Sequence, residues 1–401
     1  MDITYRGTQR RLFWLGAQTA FLTLITLGLY RFWARTRVRR YFWSALGPGG
    51  DPLEYMGTGL EKLLGFLIAV AFLAIYLGVF QLLLSFLGLS ILSPDADGNA
   101  WIWQLGLSQA TLLTVVPFVF YAQYRGRRYL LARTRWRGVR FGVEPGVWGY
   151  VWRAMVHWLL TVLSVGFLYP RQLFWLEKYR VDRTWYGTAQ FSQGGHWTDL
   201  IPAARHYFIA LAILAAAVLA GLDSRWFLAA IAALVGGFWM LYGLVALWVG
   251  AFNILGQRKR LGGTVRFSAE VDVGAAFWVV IIGFLVSSAC AGLVFSVITG
   301  VVGVILGDLG ALIDALILGA EDDPVAALTG GLVAFAVAYV VMVASYGVFW
   351  LVFVSQPMLE LYASGVEISG AAALDEITQR ARDELVEAEG FADALDVGAA
   401  V

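Results

Sequence analysis

Residues 24–43 read LITLGLYRFWARTRVRRYFW, and they decide how this chain lies. An apolar run that begins at Leu12 breaks at Thr26-Leu27-Gly28. It turns at once into an aromatic helix studded with Arg31, Arg35, Arg37, Arg39 and Arg40. Residues 163–185, LSVGFLYPRQLFWLEKYRVDRTW, form a looser copy. Either both elements cross a membrane, or both dip in and return on the side they left.

Composition requires a membrane. Of 401 residues, 60% are hydrophobic and 14% charged, where soluble domains carry about 25% charged residues. Eight apolar segments stand out: 12–34, 60–89, 101–124, 148–169, 207–222, 226–255, 275–306 and 325–357. Several exceed the roughly 18 residues that mark a spanning helix. The one cysteine, Cys290, excludes an intrachain disulfide and reads as a small packing residue. The first 30 residues mimic a secretory signal, but no A-x-A site follows and the run ends in arginines, so they read as part of the fold.

Charge separates the two topologies. If all eight segments crossed, starting inside, 14 of the 29 Lys and Arg would lie inside and 15 outside. If 12–34 and 148–169 instead return on the side they entered, 28 lie on the cytoplasmic side and only Arg225 outside. Cytoplasmic loops carry the Lys/Arg excess. The expectation is therefore an all-α polytopic membrane protein with six transmembrane helices and two re-entrant or interfacial helical elements, both termini cytoplasmic. Pro170 should end the helix before it.

Short strand-like runs with glycines recur between these segments: 4–8, 53–58, 138–144, 184–191, 263–271 and 365–370. Alternating β-branched and aromatic residues beside turn formers favour strands, and isolated edges are unstable, so a small cytoplasmic sheet is expected. Their likeness suggests internal duplication. Residues 1–143 are a first repeat (re-entrant element 12–43, hairpin 60–124), and 144–271 a second (re-entrant element 148–180, hairpin 207–255). A third hairpin fills 272–370, and 371–401 is an acidic tail read as one amphipathic helix. Segment 307–320 is expected to lie on the membrane surface.

YRGT near the start, ITLGLYRFWARTRVRRYF, EYMGTG and the closing ADALDVG together resemble the YjgN family of bacterial inner-membrane proteins, which is defined by a domain of unknown function. The likeness is sharpest over residues 4–60. In the second copy Ser164-Val165-Gly166 replaces TLG, and Arg171-Gln172-Leu173 replaces the Trp-Ala pair. The resemblance implies a bacterial inner-membrane location and no particular activity.

Catalytic signatures are absent. There is no H-E-x-x-H, no G-x-S-x-G elbow, and three histidines with one cysteine are too few for a His/Cys metal set. No enzyme activity, metal or cofactor is expected. An intramembrane Arg is a functional candidate by default, which singles out Arg153 and, one turn on, His157; the ordinary readings are snorkelling and packing. Thr26, Gly28, Tyr30, Gly166, Tyr169 and Pro170 mark the two helix breaks. Arg35, Arg37, Arg39, Arg40, Arg127 and Arg128 are candidates for holding lipid headgroups.

Broken helices in repeated units are how transporters expose backbone to cargo. The first expectation is thus a channel- or transporter-like protein for a small solute. The alternative is a non-transporting protein that organises the membrane or binds anionic lipid. Membrane lipids, anionic ones included, are the expected partners. Nucleic acid is not, because the basic residues alternate with membrane-anchoring aromatics.

Overall fold

The structure, a computed structural model, describes residues 1–86, 100–313 and 324–380. Two compact units share the chain: residues 4–47 with 271–365, and residues 1–3 with 48–270 and 366 onward. The chain opens with β1 (Ile3–Tyr5), a helical pair α1 (Gln9–Ile25) and α2 (Arg31–Ala45), and β2 (Leu46–Pro48), which pairs with β1.

That plan recurs. β3 (Glu54–Tyr55) and β4 (Thr134–Trp136) flank α3 (Gly59–Phe86) and α4 (Ala100–Ala132). β5 (Val139–Val143) and β6 (Thr184–Tyr186) flank α5 (Val147–Leu163) and α6 (Tyr169–Val181). β7 (Ala189–Gln193) and β8 (Lys259–Leu261) flank α7 (Arg205–Leu222) and α8 (Trp226–Gln257). β9 (Val265–Ala269) and β10 (Val366–Ser369) flank α9 (Val273–Ile313), α10 (Pro324–Trp350) and α11 (Gln356–Ser364).

β3 to β10 lie side by side in chain order, all antiparallel, in one eight-stranded sheet. Tight turns join the strands that no helix separates. Arg137 and Gly138, with φ of 47° and 78°, make one such turn, the positive-φ geometry that suits the twist of a two-residue hairpin. The N-terminus extends the β10 edge: Met1 exchanges backbone hydrogen bonds with Ile368 at 2.8 Å, and Asp2 bridges Glu367.

The sequence anticipates β1, β3, β5, β6, β9 and β10, and joins β6 to β7 in one run. It misses β2, β4 and β8, which have three residues each. The tail differs more. Residues 371–374 form one 3-10 turn, and 377–380 are irregular rather than helical. They lie across the sheet: Leu374 and Ile377 join its apolar face beside Trp136 and Tyr186, Thr188 N donates to Thr378 O at 3.0 Å, and Arg137 pairs with Asp375 at 3.2 Å. The turn bonds leave no helical ladder there for the amphipathic pattern to form. Residues 381–401 fall outside the described residues. So does half of the surface segment 307–320, its first seven residues continuing α9 to Ile313.

Among the described residues five stretches, α3, α7, α8, Val273–Ile305 and Leu332–Ser364, are long and apolar enough to cross a membrane, yet only 11% to 17% of an 18-residue apolar window in each is buried. Helices that are apolar all round and turned outward need an apolar solvent. α4 has 33 residues and carries Pro117 within its run. It packs against α3 through Phe118, whose ring lies 5.5 Å from Phe72 and 4.8 Å from Tyr76. At its basic end Glu61 accepts from Tyr129 Oη and Arg133 Nη2, both at 2.7 Å. In the other unit, a π-helical turn, Leu351–Ser355, precedes Pro357 in α11; a proline cannot donate to the ladder, and the shifted register accommodates it.

Helix contact in lipid relies on close backbone approach. A Cβ on Gly243 of α8 would sit 2.8 Å from Tyr207 N and 2.9 Å from the His206 carbonyl, backbone atoms that cannot yield. At Gly236 the neighbour is the movable Leu214 side chain at 2.9 Å, and at Gly237 nothing lies within 4 Å. Thermal unfolding in detergent should therefore rank three alanine variants. Gly243→Ala loses about 1–3 kcal/mol, Gly236→Ala less, and Gly237→Ala is neutral or gains up to about 1 kcal/mol from helix propensity.

Candidate lipid-facing site

The two breaks found in the sequence are the same turn built twice. Leu27 and Gly28 have φ of 51° and 92°; Val165 and Gly166 have 50° and 91°. Gly28 N donates to Thr23 O at 2.7 Å, and Gly166 N to Thr161 O at 2.8 Å, the six-to-one closure of a Schellman cap. Thr26 Oγ1 accepts from Tyr30 N at 2.9 Å, and Ser164 Oγ from Leu168 N at 3.0 Å, each starting the second helix. Every amide from Leu27 to Arg31, and from Val165 to Tyr169, is thereby engaged locally. The second break is thus at 164–168, earlier than the proline suggests. α5 ends at Leu163, and Pro170 lies in the first turn of α6, where its missing N–H costs nothing.

Both pairs are short. α1 and α2 have 17 and 15 residues, about 26 and 22 Å. α5 and α6 have 17 and 13, about 26 and 20 Å. The tips are apolar and bare: Leu27 is 95% exposed and Val165 77%, with Ile25, Leu29, Leu163 and Phe167 also exposed. The copies differ in support. Tyr207 Oη donates to Gly166 O at 3.0 Å, and Trp248 Nε1 to Tyr169 Oη at 3.1 Å, whereas nothing stands within 4 Å of a Cβ at Gly28.

Between α1 and α2 lies a cavity of about 830 Å³ lined by Arg11, Trp14, Leu15, Ala17, Gln18, Arg37, Arg40, Tyr41 and Ser44. Tyr41 anchors it: its hydroxyl accepts from Thr8 N at 2.6 Å and donates to Thr8 O at 2.8 Å. Arg37 donates to Tyr30 Oη at 3.1 Å and to Gln18 Oε1 at 3.3 Å. Of the arginines expected here, Arg37 and Arg40 reach the cavity, while Arg35 is half-buried and Arg39 buried on other faces of α2. The contribution of α1, above all Arg11, Trp14 and Gln18, went unseen. Their spacing of three and four puts them on one helical face, and the antiparallel register set by the Gly28 turn brings that face to Arg37 and Arg40.

The remaining candidates lie in the larger unit. Arg153 Nη1 donates to Gly149 O at 3.0 Å and its guanidinium lies 4.8 Å from the Tyr179 ring. Arg171 Nη1 lies 3.3 Å from His157 Nδ1; a guanidinium only donates, so Nδ1 accepts. Arg127 and Arg128 sit just past the apolar part of α4. Arg127 faces Glu177 of α6 at 3.9 Å, and the same carboxylate meets Arg180 at 3.0 Å and Lys259 of β8 at 3.6 Å. Burial alone would raise the Glu177 carboxyl, but Arg180, Arg127 and Lys259 outweigh it and bring it from 4.5 to about 2. Burial pushes Lys259 down. Among the described residues no group of three or more His, Cys, Asp or Glu side chains could hold a metal.

A carboxyl depressed in the folded state stabilises above its ordinary value and loses that contribution as pH falls through the folded one. Stability should therefore drop by about 3 kcal/mol between pH about 5 and about 2. Glu177→Gln should show no such component in denaturation midpoints across that range.

A family model described as "Bacterial protein of unknown function (DUF898)" matches residues 1–394. Two similar relatives are the protein named "Inner membrane protein YjgN" of Escherichia coli strain K12, 26% identical over 165 residues, and its counterpart in E. coli O157:H7, 27% identical over 165 residues. Each match covers 41% of this chain and 36% of the relative, so the chain spans about a third of the curated relatives it matches. No solved structure matches. The relatives' location and the five apolar helices fit an integral inner-membrane protein. On the family model, which covers nearly the whole chain, the protein belongs to the YjgN family of bacterial proteins of unknown function.

Proposed function

We propose that this protein binds anionic lipid headgroups at the cytoplasmic face of the inner membrane and organises the leaflet around its two short hairpins. The observation that carries this is the pairing of a basic, aromatic-walled groove between α1 and α2 with a bare apolar tip at the far end of the same hairpin. Arg11, Arg37 and Arg40 supply charge at headgroup depth, and Trp14, Leu15 and Tyr41 supply walls for the adjoining glycerol and acyl carbons. In this proposal α3, α4, α7, α8, α9 and α10 are the six spans, α1–α2 and α5–α6 are re-entrant, and both termini are cytoplasmic. Supporting it, each helical pair begins and ends at strands that pair with each other, and α2 and α6, with 15 and 13 residues, are shorter than the roughly 17 residues a spanning helix needs. The recurrence of strand, helical pair, strand supports an internal duplication. The role asks only binding of its side chains and is non-enzymatic.

Passage of a small solute needs backbone or polar groups at the breaks that are free to meet cargo. The amides at Gly28 and Gly166 are already engaged within their own turns, which favours lipid binding over transport.

The test is lipid retention. Purified protein is placed in nanodiscs of mixed phosphatidylglycerol and phosphatidylcholine, and lipids that persist through detergent exchange are counted by native mass spectrometry. Changing Arg11, Arg37 and Arg40 together to Gln should weaken phosphatidylglycerol binding by about 3 kcal/mol, at about 1 kcal/mol per charge. Changing Arg35 alone should have less effect. Unchanged phosphatidylglycerol retention in the triple variant would refute the assignment.

A further inference from the structure

A second anion site is built around Glu177, in the larger unit and separate from the α1–α2 groove. Three elements distant in sequence converge there: Arg127 from α4, Glu177 and Arg180 from α6, and Lys259 from β8. One carboxylate faces three cations, so the cluster carries a formal excess of two positive charges. The neighbouring Lys178 does not add to it, being paired with Asp182 at 2.9 Å. Side chains of the four central residues keep only 19% to 29% exposure. Holding extra cations in such a place is costly unless a counter-charge joins them.

Donors are also left over. Arg180 spends two of its five N–H donors in these contacts, its Nη2 on Glu177 at 3.0 Å and its Nε on Leu176 O at 3.3 Å. Arg127 Nε is buried with no hydrogen-bond partner, and the Arg127 Nη1 distance to Glu177, 3.9 Å, is too long for a hydrogen bond. Lys259 Nζ stands 3.6 Å from Glu177 and has three hydrogens to give. The cluster lies at the junction of helix and sheet: Arg127 follows the buried Tyr124 of α4 by three residues, and Lys259 follows the end of α8 by two. On the topology proposed above, that junction lies at the depth of lipid phosphates and is open to dissolved cytoplasmic anions.

We infer that Arg127, Lys259 and Arg180 hold a phosphate group bearing two negative charges, with Glu177 as the fixed carboxylate that keeps the three cations together when the site is empty. A doubly charged phosphate neutralises the excess, and its oxygens can accept from the Arg127 fork and the Lys259 ammonium together. The group is either the terminal phosphate of a lipid such as phosphatidic acid or free phosphate.

Full-length protein in phosphatidylcholine nanodiscs is titrated with inorganic phosphate, and separately reconstituted with added phosphatidic acid, while thermal unfolding is followed. A rise in Tm with inorganic phosphate identifies the free ion; a rise only with phosphatidic acid identifies the lipid. Arg127→Gln and Lys259→Gln should each weaken the response about fivefold, the equivalent of one charge at the surface. Glu177→Gln removes the competing carboxylate and should bind about fivefold tighter. A purely structural ion cluster predicts no gain in anion response for Glu177→Gln; the lower basal stability of that variant is common to both accounts, so the anion response is what decides. Absence of any Tm change with either probe, in both wild type and Glu177→Gln, overturns the site. The Arg11/Arg37/Arg40 variant should respond like wild type, so this result stands or falls apart from the groove.

Discussion

Antiparallel pairing of β3 through β10 in a single sheet constrains everything else in this chain. A sheet of polar backbone cannot lie open in lipid, because each unsatisfied amide or carbonyl there costs several kcal/mol. Every helical pair that leaves one strand comes back to the strand it pairs with. Among these helices α7 and α8 are long and apolar enough to cross a membrane. In the α5–α6 pair the second helix has only 13 residues, and the turn between the two closes on itself through Ser164, the Gly166 amide and the preceding carbonyls.

Charge follows from the same arrangement. Arg135, Arg137, Arg140, Lys259, Arg260 and Arg266 all lie on or beside the strands, and basic residues collect on the cytoplasmic side of inner-membrane proteins. Where cations crowd at the helix–sheet junction they need partners. Some have them, as Arg133 has Glu61 at 2.7 Å. Around Glu177 three cations meet one carboxylate, which is the imbalance the proposed phosphate would neutralise.

Much of this was legible in the residues. Long apolar runs marked the helix starts to within three residues, but ends such as those of α1 and α4 lie eight or nine residues away, because the α1 run continues past its turn and α4 continues into basic residues. The turns at Gly28 and Gly166 were visible as glycines interrupting apolar runs, and positive-φ demands made them breaks. Strands of three residues such as Thr134–Trp136 and Lys259–Leu261 were not legible, because they carry no periodicity and follow directly on helices. Nothing in the sequence marks Glu177 beyond Arg180 three residues on; that Arg127 and Lys259 meet it depends on a sheet register spanning over 130 residues. The tail pattern, LDEITQRAR, was helical by period, but Ile377 and Thr378 gain more from the sheet face than from a helix of their own.

The most direct test is the depth of the two hairpin tips. Single cysteines are placed at Leu27, Val165 and, for reference, Ser224 in the α7–α8 turn, each in a Cys290→Ala background. Membrane-impermeant maleimide is applied to intact cells and to inverted vesicles. The account predicts labelling of Ser224→Cys from outside only, and no labelling of Leu27→Cys or Val165→Cys from either side, with both reached by lipid-soluble reagents. Labelling of either tip from outside would mean that its hairpin crosses the membrane, and the re-entrant account of that hairpin would be wrong.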